Sequence, residues 1–147
     1  MFFVTGVLLL LASAASSPAQ VTPSGNLIHV EVDGLRDTRG QVHCALFSSP
    51  ADFPKKADKA AAQAMSAITH GQAFCELPGV APGTYAISVF HDENSNGKLD
   101  TNFMGMPHEG VGASNNAKGR FGPPKFRDAS FQYSGGRLVI KITITYL

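Results

Sequence analysis

Asp92, Asn94, Asn96, Gly97 and Asp100 fall in one short run, "DENSNGKLD". Acid and amide side chains at alternate positions can offer oxygen atoms to a single cation. A glycine in the sixth place allows the sharp turn that aims them inward. The spacing is that of the first nine positions of a helix–loop–helix calcium loop. At the seventh position the backbone carbonyl of Lys98 would add another oxygen. The twelfth position should carry a bidentate glutamate but carries Phe103. The residues before Asp92 also read as a strand, not as an entering helix. The loop is therefore not an EF-hand, and a hard ion that takes about 6 to 8 oxygens needs donors from elsewhere. Glu109, the one carboxylate between Thr101 and Lys125, is the expected donor, with Glu93, Asn102 and water as alternatives. The candidate metal set is Asp92, Asn94, Asn96, Lys98, Asp100 and Glu109, and calcium is the expected ion. Few charged ligands imply weak binding, about 10⁻⁴ to 10⁻³ M. The competing reading is a plain turn, since Asn, Asp and Gly are what turns use.

Other reactive side chains offer less. His91 and His108 flank the loop and could join Asp92, Asp100 or Glu109 around a transition metal, but no H-E-x-x-H pair exists. His29 and His43 lie on the polar phase of strands, as surface residues do. Ser114, in "VGASNN", lacks the G-x-S-x-G elbow of a nucleophile and is expected to make turn hydrogen bonds. Phe103, Met104 and Met106 are expected to line a small apolar pocket or to pin the loop to the body of the protein. No catalytic residue is assigned on this basis, and a non-enzymatic role is favoured.

The elements around the loop alternate with period two. "RLVIKITITY" places Leu138, Ile140, Ile142, Ile144 and Tyr146 on one face. "NLIHVEVD" aligns Ile28, Val30 and Val32. "QVHCALF" aligns Val42, Cys44 and Leu46, and "QAFCEL" aligns Ala73, Cys75 and Leu77. "TYAISVF" aligns Tyr85, Ile87 and Val89, and "DASFQY" aligns Ala129, Phe131 and Tyr133. "KKADKAAAQAMSA", residues 55–67, is rich in alanine and straight-chain residues and predicts a short surface helix. The segment from Thr101 to Lys125 is rich in Gly and Pro and predicts one long loop. Short strands with Gly/Pro turns predict an all-β sandwich or barrel. The "PGTYAISV" piece resembles prealbumin-like sandwich modules of secreted proteins. That resemblance implies a single antiparallel β-sandwich, prealbumin- or immunoglobulin-like, with that one helix and that one loop. The domain is expected over residues 25–147.

The chain has 147 residues, of which 44% are hydrophobic and 16% charged, with a formal net charge of +1. That composition suits one packed domain and lacks the basic footprint of a nucleic-acid binder. Residues 1–20, "MFFVTGVLLLLASAASSPAQ", carry no Asp, Glu, Lys or Arg. An apolar run followed by small Ser17 and Ala19 predicts a signal peptide over residues 1–19, removed on export to the periplasm or beyond the cell. The run is too short to span a bilayer, which needs about 20 residues, and no transmembrane segment is expected in the mature chain. Export would place Cys44 and Cys75 in an oxidising space. Both sit on the apolar phase of their strands, where two strands facing one core can bring them within bridging distance. A Cys44–Cys75 disulfide is expected.

The stretch "FHDENSNGKLDTNFMGMPHEGVGASNNAKGRFGPPKFRDASF", with "GQVHCALF" and "PGTYAISV", resembles the domain of unknown function 2141 family of secreted bacterial proteins. The resemblance rests on the order Asp92, Asn94, Asn96-Gly97, Asp100, Gly105, Pro107, Glu109, Ser114, Gly122-Pro123 and Phe126. It implies an exported, single-domain, prealbumin-like sandwich, and it implies no reaction. The reading from sequence is an exported sandwich with a calcium-dependent loop, a binding or structural module of the cell envelope whose ligand or partner the sequence does not name. The alternative is a metal-dependent enzyme with its site in the 91–125 loop.

Overall fold

The computed structural model describes residues 25–147; the signal peptide expected over residues 1–19 lies outside them. Among the described residues, eight strands form two facing sheets. The first sheet holds β1 (Leu27–Asp33), β4 (Ala73–Pro78) and β8 (Arg137–Thr143), in the order β4-β1-β8. The second has β3 (Ala62–Ala67), β2 (Gln41–Phe47), β5 (Gly83–Asp92) and β6 (Val111–Ala113) in that order, with β7 (Phe131–Tyr133) also on β5. The fold is the expected all-β sandwich. Its pairings are antiparallel except one, because β1 and β8 run parallel, with Val30 opposite Ile140.

Period-two alternation produces the core. Ile28, Val30 and Val32 of β1 meet Val42, Cys44 and Leu46 of β2, Ala73, Cys75 and Leu77 of β4 and Ile87 and Val89 of β5, all buried. Non-directional burial of this apolar face stabilises the fold by roughly 25 cal/mol per Å² removed from water. Cys44 and Cys75 are bonded across the two sheets, their Cα atoms 6.5 Å apart. The bridge staples β2 to β4, as the matching phases of the two strands imply. Tyr85 turns at the start of β5 and donates its hydroxyl to the Ala81 carbonyl at 2.7 Å. That bond fixes the Pro/Gly-rich entry to the strand.

Two expectations need correction. Residues 55–67 do not form a helix: a short 3₁₀ turn spans Ala57–Lys59, and Ala62–Ala67 is strand β3. Helix propensity is only a weak prior. Here the edge of β2 offers a ladder to Ala62–Ala67, Ala64 facing Cys44. Small side chains also suit this strand, since Ala62 and Ala64 pack against the core. The Thr101–Lys125 segment is not one loop either. It contains β6, paired to β5, and a 3₁₀ turn at Ser114–Asn116. Gly112 is needed there, because a Cβ at that position would lie 2.7 Å from Ile142 Cγ2. A four-residue helix, α1 (Phe126–Ala129), occupies part of the stretch expected to open a strand. Its Phe126 and Ala129 join Phe47, Phe53 and Ala86 in a second small core on the outer face of the larger sheet.

Candidate functional site

Strand β5 delivers Asp92 to one end of the sandwich, and the Asp92–Asp100 loop begins there. Asp92 is fully buried. Its Oδ1 accepts the Asn96 amide at 3.1 Å and its Oδ2 accepts the Gly97 amide at 2.8 Å. His43 of β2 reaches the same Oδ2 at 3.0 Å through Nε2 and stacks on Phe90. Burial opposes ionisation of Asp92, but the Gly97 amide, the His43 ring and the Asn96 amide together outweigh it and hold the pKa below its ordinary value. A buried carboxylate so surrounded stays charged.

The other loop oxygens gather close by. Asn94 Nδ2 donates to Asp100 Oδ2 at 2.6 Å, and Asn96 Nδ2 donates to both Asp100 oxygens at 2.9 and 3.1 Å. Asn94 Oδ1 accepts the Asn96 amide and Asn96 Oδ1 accepts the Lys98 amide. These side-chain bonds hold the backbone in successive tight turns. Gly97 takes a φ of +76°, a conformation that glycine adopts without steric cost. Asn94, Asn96 and Asp100 thus converge on one another, with Asp92 beneath the turn.

Glu109 closes the loop. It is buried, and its Oε1 accepts the Glu93 amide at 3.0 Å while its Oε2 accepts the Asp100 amide at 3.1 Å. One carboxylate therefore clasps both ends of the loop. The sequence reading brought Glu109 to this place as an oxygen donor for a cation; the bonds it makes here are to backbone amides. Each oxygen has lone-pair capacity beyond these bonds.

A second polar group packs behind. His91 is fully buried; its Nε2–H donates to the Arg39 carbonyl at 2.7 Å, and its Nδ1 accepts the Tyr146 hydroxyl at 2.8 Å. Tyr146 in turn accepts the Arg36 amide at 3.0 Å. Burial pushes the Tyr146 pKa up, which keeps the proton it donates. Arg36 forks onto Glu93, with Nη2 2.7 Å from Oε2, and lies over the Tyr146 ring at 4.3 Å. The Arg36 bonds, larger than the opposing burial, hold the Glu93 pKa below its ordinary value. Asp37, His91 and Glu93 place ligand-capable atoms within 4.8 Å of one another. Both His91 ring nitrogens already have partners, and Asp37 and Glu93 are paired with arginines. This cluster works as a brace that ties the β1–β2 connection to the start of the loop. Gly40 lets the two chains touch, since a Cβ there would lie 1.8 Å from the Asp92 carbonyl oxygen.

The remaining reactive residues serve the fold. Ser114 is fully buried; its Oγ donates to the Ala129 carbonyl and accepts the Ile87 amide at 2.9 Å. His108 is exposed whereas His91 is buried, and among the described residues the ligand-type group that contains His91 is made with Asp37 and Glu93, not with His108. Sequence reasoning missed His43, read as a surface residue. The signal was available only through the pairing of β2 with β5, which sets Gln41 opposite Asp92 and His43 opposite Phe90. It also misplaced Phe103, Met104 and Met106. They are 98%, 70% and 47% exposed, open to solvent rather than pinned against the body of the protein.

Fold and site together define a two-sheet β-sandwich with an Asp/Asn-rich loop clasped at one end. The chain belongs to the bacterial domain of unknown function 2141 family, described as an uncharacterized protein conserved in bacteria, whose family model matches residues 30–141. No curated protein and no solved structure matches it. Among the described residues no helix is long and apolar enough to cross a membrane.

Proposed function

We propose that this protein is an exported envelope module whose Asp92–Asp100 loop takes up calcium and, once stiffened, serves as a binding or structural surface. The observation that carries the reading is the convergence of Asn94, Asn96 and Asp100 above the buried, ionised Asp92. The donor set is all oxygen, which suits a hard cation. The Asn94 and Asn96 side-chain amides direct the positive ends of their dipoles at the Asp100 carboxylate, where bound calcium would supply charge. Asp92, Asn94, Asn96, Asp100, the Lys98 carbonyl and Glu109 are the proposed donors. Glu109 belongs to the set as the carboxylate that joins the two ends of the loop. The apolar leader and the disulfide between the sheets support export, since oxidised cysteine pairs persist outside the cytoplasm.

Isothermal titration and thermal melting test the reading. Calcium at millimolar concentration should raise the melting midpoint more than magnesium does, because Mg²⁺ dehydrates reluctantly and demands octahedral geometry. Asp100→Asn, at a half-exposed position that leaves the core intact, should remove most of the difference. Equal responses to both ions in both proteins would reduce the loop to a turn.

A further inference from the structure

Beyond the loop lies a short hairpin that carries three exposed large apolar side chains, Phe103, Met104 and Met106. Thr101 pairs with Pro107, and Asn102 organises the turn between them. The Asn102 carbonyl accepts the Gly105 amide at 2.9 Å, and its side-chain oxygen accepts the Met104 and Met106 amides at 2.9 and 3.0 Å. Gly105 has a φ of +79°. The tip is thus a fixed shape, and it holds Phe103 and Met104 out into solvent with Met106; Leu99, two residues before Thr101, is 37% exposed. Exposed apolar side chains grouped in this way mark an interaction surface.

We propose that this hairpin docks the protein on a lipid bilayer, with Phe103, Met104, Met106 and Leu99 entering the headgroup–acyl boundary. Three features favour a bilayer over a protein pocket. The tip stands out in solvent, with Phe103 98% exposed, and carries no ionisable side chain from Thr101 to Pro107, so no charge needs to be dehydrated on entry. Its amides at Met104, Gly105 and Met106 are bonded within the turn, which lowers the cost of bringing this backbone against an apolar surrounding. Asn102 spends its side-chain oxygen inside the turn, which removes one acceptor that a specific protein partner could use. At the neck, Asp100 is held by the Asn94 and Asn96 amides, whereas Lys98 is exposed. A free ammonium below an apolar tip matches the level of the lipid phosphates. The bonds that shape the tip run among Asn102, Met104, Gly105 and Met106, outside the proposed calcium donors, so the proposal does not depend on calcium uptake by the neighbouring loop.

The chain contains no tryptophan, and Phe103→Trp therefore gives a single reporter at the tip. The test uses the chain from Gln20, which retains every described element of the sandwich, with phosphatidylethanolamine/phosphatidylglycerol vesicles and a chelator present. Emission of the Phe103→Trp protein should shift to the blue and be quenched by brominated lipid. The wild type should co-sediment with the vesicles, even in about 0.5 M salt, where exposed charges are screened. Phe103→Asp should lower that partition at least tenfold without changing the melting midpoint. Phe121→Trp is the control, since Phe121 is equally exposed but follows β6 towards the other end of the sandwich; its emission should not move. An unshifted Phe103→Trp spectrum, or equal sedimentation of wild type and Phe103→Asp, would overturn the proposal.

Discussion

Replacing Glu109 by glutamine tests the clasp directly. The side chain is isosteric and buried, but one of its two acceptor oxygens becomes an NH₂ group. That group would face either the Glu93 or the Asp100 amide, both donors. One charge-assisted hydrogen bond is lost, the other loses its charge, and one buried N–H has no acceptor. Hydrogen bonds to charged groups contribute about 1.5 to 3 kcal/mol, so the loop should be weakened by about 2 to 3 kcal/mol. If only the loop opens, its opening constant rises roughly 30- to 140-fold, at about 1.4 kcal/mol per factor of ten. If the whole sandwich feels the change, the midpoint falls by about 8 to 12 °C for a domain of roughly 120 residues. Hydrogen exchange separates the two cases. The Glu93 and Asp100 amides should lose protection in the variant. Amides in the centre of β1 and β8, such as Ile140, should keep theirs under local opening. Unchanged protection at Glu93 and Asp100 would refute the clasp and leave Glu109 as a mere occupant of the space.

Two further outcomes follow from the same geometry. The Cys44–Cys75 bridge closes a sequence separation of 31 residues, so reduction should cost about 3 to 4 kcal/mol on the loop-entropy account; thiol titration of the unreduced, unfolded chain should find no reactive cysteine, and two free thiols would contradict the staple. Acid should weaken the loop: Asp92 and Glu93 have folded pKa values below their ordinary 3.8 and 4.5, so their stabilisation is complete above those values and is lost as pH falls through the folded ones. The melting midpoint should therefore drop as pH falls below about 4, less steeply in Asp92→Asn, and a flat midpoint across that range would refute the linkage.

Much of the sandwich is legible along the chain because burial on one face imposes period two on any strand. Ile28, Val30 and Val32 declare β1, and the same rule puts Cys44 and Cys75 on facing walls of one core. The Asp/Asn/Gly spacing of the loop is equally local, since oxygens must recur every second residue to wrap one point. β3 was not legible. Its alanines favour helix in isolation, and only the open edge of β2 makes strand the better state for Ala62–Ala67. β6 was hidden for a related reason: glycines at 110 and 112 look like loop, yet they are the residues that let this chain pass against Ile144 and Ile142.

The role of each site residue divides along the same line. That Asp92, Asn94, Asn96 and Asp100 form one turn is decided by residues in sequence, through bonds that span at most six positions. That His43 and Glu109 join them is decided by strand register and by the return of the chain through Pro107, across 49 and 16 positions of sequence. The outward pose of Phe103 was likewise settled by the fold. A run of Phe and Met is apolar wherever it stands, but burial depends on whether a surface lies within reach, and Asn102 closes the turn before any does.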